Sequence, residues 1–144
     1  SVLSCSAVAQ TWQARILGFP NAFLGILFET AVLAVSVALF AGVRFPRWYM
    51  VCVHIMYTVA LAFAYWLFLQ SYFVIHVLCP WCLTLDVGML LIFFGMTRYC
   101  IEVGVIGGEC TKRFARHGYD VLCAVSVLVL AVALIIVKFG AELL

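Results

Sequence analysis

Charged residues are scarce in this chain of 144 residues: they make up 10% of it, whereas hydrophobic residues make up 68%. Soluble domains carry about 25% charged and about 45–50% apolar residues. A soluble domain of this length must cover itself with polar groups, so the composition excludes a water-soluble globule and indicates a membrane protein. The net charge of +2 leaves no basic surface for nucleic acid. No signal-peptide pattern opens the chain at Ser1, and the length allows one membrane domain over residues 1–144.

Four long apolar segments fill most of the sequence, at residues 21–43, 48–73, 78–97 and 119–139. Each has about 20 residues or more, enough to cross roughly 30 Å of hydrocarbon as a helix. Helices are expected because lipid offers backbone polar groups no partner. Buried soluble helices are the alternative, but four of them would leave nothing to bury them. We therefore predict an all-α integral membrane protein, a four-helix transmembrane bundle.

Lysine and arginine are unevenly distributed between the two sides of these segments. Two links, at residues 42–47 and 98–118, hold six of them: Arg44, Arg47, Arg98, Lys112, Arg113 and Arg116. The other side holds Arg15 and Lys138. Because positive charge favours the cytoplasm, the two rich links should face inward. Residues 1–20, the link at 70–77 and the C-terminus should face outward.

Residues 6–17 have the pattern of a short amphipathic helix. Val8, Trp12 and Ile16 fall on one face at i, i+4 and i+8, and polar side chains point elsewhere, at Gln10, Gln13 and Arg15. Such a helix lies in the plane of the membrane interface. We expect an outward-facing interfacial helix before the first span, which is compatible with a lipid anchor and with a lid over a pocket.

The seven cysteines separate into two groups. Cys5, Cys79 and Cys82 lie on the predicted outward side, where conditions are oxidising. The other four, at or near the cytoplasmic side, are interpreted as buried or incidental thiols: Cys52 and Cys123 early in their helices, and Cys100 and Cys110 in the link after residue 97.

Cys79 and Cys82 form a C-x-x-C pair at the start of the third apolar segment. Their spacing puts both sulfur atoms on one helical face, close enough to bridge. Pro80 suits the first helical position, and the helix N-terminus stabilises a thiolate. The pair is therefore suited to thiol–disulfide exchange. A zinc site is the alternative, but the only further outward ligands are Cys5 and His76, and no metal site is expected.

Two carboxyl groups lie within predicted spans. Asp86 follows Cys82 by four residues and shares its helical face, and Glu29 lies about two turns into the first span. Intramembrane carboxyls are costly and are functional candidates by default, so both are candidate proton relays. Gly25 permits close approach of a ring to the first span.

Cys5, the run GFPNAFLG at residues 18–25 and the pair Cys79/Cys82 together resemble the vitamin K epoxide reductase family, in particular its bacterial members. The resemblance covers about residues 1–139. It implies a helical bundle around a quinone, menaquinone or ubiquinone. Bacterial members commonly have five spans, so the four segments correspond to the second to fifth. The first spanning helix and the first cysteine of a C-x7-C loop pair are expected to lie outside this chain.

The resemblance also implies roles for individual residues. Cys82 would lie beside the quinone, and Cys79 would exchange with Cys5. The loop pair would oxidise a thioredoxin-like, DsbA-like partner. Asn21 matches an asparagine that hydrogen-bonds a quinone oxygen, and Asp86 stands where the vertebrate enzyme has a tyrosine that holds the ligand. The full set expected at the quinone is Asn21, Asp86, Gly25, Phe23 and Trp12.

The sequence thus predicts a membrane thiol oxidase that reduces a quinone and supports disulfide formation in exported proteins. It would be a multi-pass protein of the bacterial inner membrane with its redox cysteines on the extracytoplasmic side. The DsbB type of thiol oxidase is one alternative, although its C-x-x-C belongs to the first outward loop. A tetraspan metal-binding or transport protein using Cys79, Cys82 and His76 is the other.

Overall fold

A computed structural model describes residues 3–108, 111–113 and 117–143. Within these ranges the long helices are α2 (Ala22–Phe40), α3 (Arg47–Gln70), α4 (Pro80–Glu102) and α5 (Tyr119–Leu143), preceded by the short α1 (Cys5–Ala9). A 3₁₀ turn, Trp12–Arg15, follows α1, and a π-helical turn, Ser71–Ile75, extends α3. Two residues named above on the cytoplasmic side, Cys110 and Arg116, lie outside the described residues.

The four long helices are long and apolar enough to cross a membrane, with mean hydropathies between 1.5 and 2.9. The predicted all-α architecture with four spanning helices is therefore confirmed. The third helix is longer than expected: it runs past Thr97 to Glu102 and ends just before Gly104, whose φ is +79°. Glycine takes that left-handed conformation without strain. Cys100 consequently lies inside α4, fully buried against Met50 and Val105, rather than in the following link.

The core of the bundle lies between α3 and α4. Tyr57 and Leu61 of α3 pack against Met89 of α4, and Val32 is the buried residue that α2 adds to them. The other described α2 side chains are wholly or partly exposed within the molecule, so α2 contacts the bundle over a short stretch. A helix with so apolar a surface and so little burial is typical of a membrane span.

A compact link joins α3 to α4. It passes through His76, whose backbone is left-handed with φ at 56°, and Tyr72 and Leu78 pack there against Phe139 of α5. Lys138 Nζ lies 4.3 Å from the centre of the Tyr72 ring and donates a hydrogen bond to the Tyr72 carbonyl. The end of α5 therefore supports the segment that leads into Cys79.

The N-terminal segment is fastened to the same link. Leu3 and Leu78 form an isolated parallel β-bridge, and the Ser4 backbone N–H donates to the Leu78 carbonyl at 3.0 Å. Ser4 also caps α1 by accepting from the Ala7 N–H at 3.3 Å. Cys5 is thereby brought beside Cys79.

The predicted continuous helix over residues 6–17 is wrong in detail. Thr11 is extended, with φ −75° and ψ 154°, and separates α1 from the 3₁₀ turn. The Thr11 hydroxyl donates to the Val8 carbonyl at 2.7 Å, which stabilises this break. Such local side-chain bonds compete with helix continuation, and the face shared by Val8, Trp12 and Ile16 is broken as a result.

Candidate active site

The three outward cysteines lie together where the N-terminal segment meets the start of α4. The Cys79 thiol is hydrogen-bonded to both Cys5 and Cys82. Pro80 is the first residue of α4, as expected, and Cys79 is its N-cap with an extended backbone. Cys79 is 6% exposed, whereas Cys82 is exposed and Cys5 is intermediate.

The hydrogen-bond donors at this helix start favour a thiolate on Cys79. Burial opposes its ionisation, but hydrogen bonds from the Cys5 thiol, from the backbone N–H and thiol of Cys82 and from the Trp81 N–H together hold its pKa below the ordinary value. The hydrogen bond to Cys79 raises the pKa of Cys5 in turn. The start of the third span is expected to stabilise a thiolate on whichever cysteine its free backbone N–H groups reach. The backbone donors reach Cys79, because it occupies the N-cap.

All three cysteines line one cavity of about 690 Å³, within the range of about 300–1,000 Å³ typical of ligand pockets. Its walls come from the N-terminal segment, α2, α3, the link after α3 and the first three turns of α4. Most of the lining is apolar and includes Leu24, Phe28, Val59, Ala60, Phe63, Leu67 and Met89. Such a cavity suits a flat apolar ligand held by a few polar groups.

Three of the five residues expected at a quinone line this cavity: Asn21, Gly25 and Asp86. A Cβ placed on Gly25 would have its nearest neighbour, Leu85 Cδ1, at 4.0 Å, so the absent side chain leaves room in the wall.

The other two expected residues, Trp12 and Phe23, lie outside the lining, so their place at a quinone stays a prediction. Trp12 is 69% exposed because the break at Thr11 turns it away from Val8 and Ile16, which do face the cavity. Phe23 is 62% exposed because it lies two residues after Asn21, on the opposite side of α2.

Asn21 is tied to the 3₁₀ turn. Its Nδ2 donates to the Gln13 carbonyl at 2.7 Å, and its backbone N–H donates to the Ala14 carbonyl at 2.8 Å. Because the acceptor is a carbonyl, the orientation of the Asn21 amide is unambiguous. Its Oδ1 is buried and accepts no hydrogen bond from a described residue. Asn21 therefore closes the N-terminal segment over the cavity.

Gln13 is the site residue that sequence reasoning missed. It is 4% exposed and lines the cavity, although the amphipathic pattern assigned it to the face away from the apolar stripe. That pattern assumes that polar residues face water. Gln13 instead faces a pocket enclosed by the protein, and no periodicity in the sequence signals this.

The two candidate proton relays differ in position. Asp86 lines the cavity one turn beyond Cys82, and it interacts electrostatically with Cys82 and with Tyr65. Glu29 lies outside the lining, and its Oε1 accepts a hydrogen bond from the Tyr57 hydroxyl at 3.0 Å. Of the two carboxyl groups, Asp86 is the one that lines the cavity.

The metal alternative required His76 beside the C-x-x-C pair. His76 Nδ1 instead lies 3.0 Å from Lys138 Nζ and 3.2 Å from the Tyr72 carbonyl oxygen. Across the described ranges no three His, Cys, Asp or Glu side chains are grouped to hold a metal ion. Cys52 and Cys123 are exposed on α3 and α5, outside the cavity lining.

Comparison with known proteins gives one result. The model of the Vitamin K epoxide reductase family matches residues 1–97, which include the three cavity cysteines and Asn21. No curated protein and no solved structure matches the chain.

Proposed function

The chain belongs to the vitamin K epoxide reductase family, and from this premise we propose that it carries two electrons from a thioredoxin-like partner to a quinone. It is a multi-pass membrane oxidoreductase of the thiol–disulfide class that works with quinones. The proposed path runs from the partner to Cys5, then to the pair Cys79/Cys82, then to the quinone. The product would be disulfide bonds in exported proteins.

One observation carries this proposal: three mutually adjacent sulfurs stand at the wall of a single apolar cavity. The Cys5 thiolate attacks Cys79 of the oxidised pair, forming a Cys5–Cys79 disulfide and releasing Cys82 as a thiolate. A second thiol, from the loop cysteine that the family pattern places upstream or from the partner, then attacks Cys5 and releases Cys79. The hydrogen bonds that hold the pKa of Cys79 low make it a good leaving group.

The reduced pair then gives up two electrons and two protons and becomes a disulfide again. The quinone accepts the two electrons and the two protons and leaves as quinol. Cys82 is exposed at the cavity wall and would donate the electrons, and Asp86 on the same helical face would supply a proton. Asn21 and Gly25 would form the wall around the ring.

The proposed location is the bacterial inner membrane, with the cysteines on the extracytoplasmic side. The distribution of lysine and arginine supports this orientation, because the links at 42–47 and 98–118 carry most of them. A DsbA-like partner would then meet Cys5 in an oxidising compartment.

The test uses the purified, reduced chain in detergent and follows quinone reduction by absorbance. Cys79→Ser and Cys82→Ser should each abolish turnover, because a single thiol cannot deliver two electrons. Cys52→Ser and Cys123→Ser are matched controls outside the cavity and should keep most activity. Turnover that survives Cys82→Ser, or that is lost equally in Cys52→Ser, would refute the proposal.

A further inference from the structure

Gln13 is a buried polar side chain in the cavity wall, and its carboxamide has no partner in the part of the chain that the structure describes. Its main-chain carbonyl accepts the Asn21 amide. Its own carboxamide makes no hydrogen bond to any described residue. Buried carboxamides are normally paired, and an orphan one in a native protein calls for an explanation.

The geometry shows where the partner must come from. Some side-chain atoms of the described residues are inaccessible to solvent and also lack a hydrogen-bond partner. Neither amide atom of Gln13 is one of them. The small exposed area of Gln13 therefore includes its amide, and Gln13 lines the cavity. The cavity walls are mostly apolar, so a ligand in the cavity can supply the hydrogen-bonding group for this amide.

Asn21 is less available for that role. One of its N–H groups donates to the Gln13 carbonyl, and its Oδ1, which is buried, can only accept a hydrogen bond. Asn21 holds the 3₁₀ turn in place, and the turn presents Gln13. Asn21 thus fastens the N-terminal segment, and Gln13 faces the ligand.

We propose that the Gln13 carboxamide holds a ring oxygen of the quinone, an inference that rests on the proposed function. Nε2 donates to the carbonyl of the oxidised ring, and Oε1 accepts from the hydroxyl of the reduced ring. A carboxamide can do both because it carries a donor and an acceptor. Gln13 is therefore a binding residue that serves substrate and product alike.

The test compares Gln13→Leu and the similarly long Gln13→Met with Gln10→Leu, the same change at an exposed residue outside the cavity lining. Steady-state rates are measured with a short-chain ubiquinone and a dithiol donor. Both Gln13 variants should raise KM for the quinone roughly three- to tenfold, the loss of one hydrogen bond, with KM for the dithiol unchanged. Gln10→Leu should match the unaltered chain.

The Asn21 contact uses the main chain of Gln13, so it survives these substitutions and thermal unfolding should be unchanged. An unchanged quinone KM in both Gln13 variants would overturn the inference, and so would an equal rise in Gln10→Leu. In either case, loss of turnover in Cys82→Ser would leave the proposed function standing. Turnover that persists in Cys82→Ser would refute the proposed function itself.

Discussion

The Tyr57 hydroxyl donates a hydrogen bond to Glu29 Oε1 at 3.0 Å, linking α3 to α2 in the middle of the bundle. Tyr57 is 1% exposed, and its ring packs with Val32, Leu61 and Met89. Since Val32 is the buried residue of α2, this polar contact is a large part of what holds α2 in register with α3.

Tyr57→Phe should therefore destabilise the protein. The substitution keeps the ring but leaves the Glu29 carboxyl without its donor, which costs about 1–3 kcal/mol. Thermal unfolding in detergent, followed by circular dichroism, measures the loss. Tyr99→Phe, at an exposed position on α4, is the control. Equal unfolding temperatures for the two variants would contradict the stabilising role of the pair.

The two intramembrane carboxyls should differ in function. Asp86→Asn should lower the rate of quinone reduction on the order of 10²-fold, as expected when a positioned proton donor is removed. Glu29→Gln should keep most of the rate, because Glu29 contacts Tyr57 and lies outside the cavity lining. Rapid mixing of the reduced chain with quinone gives both rates. Equal losses in the two variants would show that position at the cavity does not decide the role.

Alkylation of Cys79 should depend on pH in a way that Cys5 controls. The pKa of Cys79 lies below the ordinary value, so its thiolate persists, and its reaction with iodoacetamide continues, to lower pH than for an ordinary cysteine. Cys5→Ala removes a hydrogen bond that stabilises this thiolate, so the midpoint of the pH profile should move upward. Mass spectrometry of the alkylated peptide reports the rate. A Cys52→Ala control should leave the profile in place, and a downward shift in Cys5→Ala would contradict the assigned cause.

When Cys82→Ser is treated with diamide, which accepts the two electrons, a disulfide between Cys5 and Cys79 should accumulate. The bridge between Leu3 and Leu78 holds the two cysteines adjacent, and without Cys82 no neighbouring thiol resolves the bond. Non-reducing peptide mapping would find the linked peptides. Adding Cys5→Ser should abolish them. A Cys5 disulfide to Cys52 or Cys100 would be incompatible with this arrangement.

Labelling of sealed membrane vesicles should show that the two ends of the bundle lie on opposite sides of the membrane. In right-side-out vesicles an impermeant maleimide should label Cys5 after reduction. A cysteine introduced by Arg44→Cys, in the exposed link between α2 and α3, should react only in inverted vesicles. Labelling of both positions from the same side would invalidate the orientation drawn from lysine and arginine.

Hydropathy and residue spacing predicted the spans and the start of α4, because both depend only on residues that are neighbours in the sequence. The four spans are long uninterrupted apolar runs, and Pro80 marks the start of α4 beside the C-x-x-C pair. The end of α4 was placed too early because Arg98 and Glu102 resemble a link. In the structure they pair at 3.1 Å along the helix, and Arg98 also reaches Asp120 of α5 at 3.5 Å.

The cavity wall was less predictable because it depends on contacts between distant segments. Thr11 interrupts the N-terminal helix through its own hydroxyl, and one such break redirects both Trp12 and Gln13. The bond from Asn21 to the Gln13 carbonyl spans eight residues and leaves no periodic signal. Helical periodicity can assign a face only while the helix continues.

The unequal exposure of the C-x-x-C pair would separate the two ends of the proposed electron path. Cys79 is almost fully enclosed, and Cys5 stands against it, so a protein-sized thiol donor meets Cys5 before it meets that sulfur. Cys82 opens onto an apolar cavity that favours a lipid-soluble acceptor. In the proposed path the thiol donor would come from water and the acceptor from the membrane, which would limit direct reaction between the aqueous thiol pool and the quinone pool.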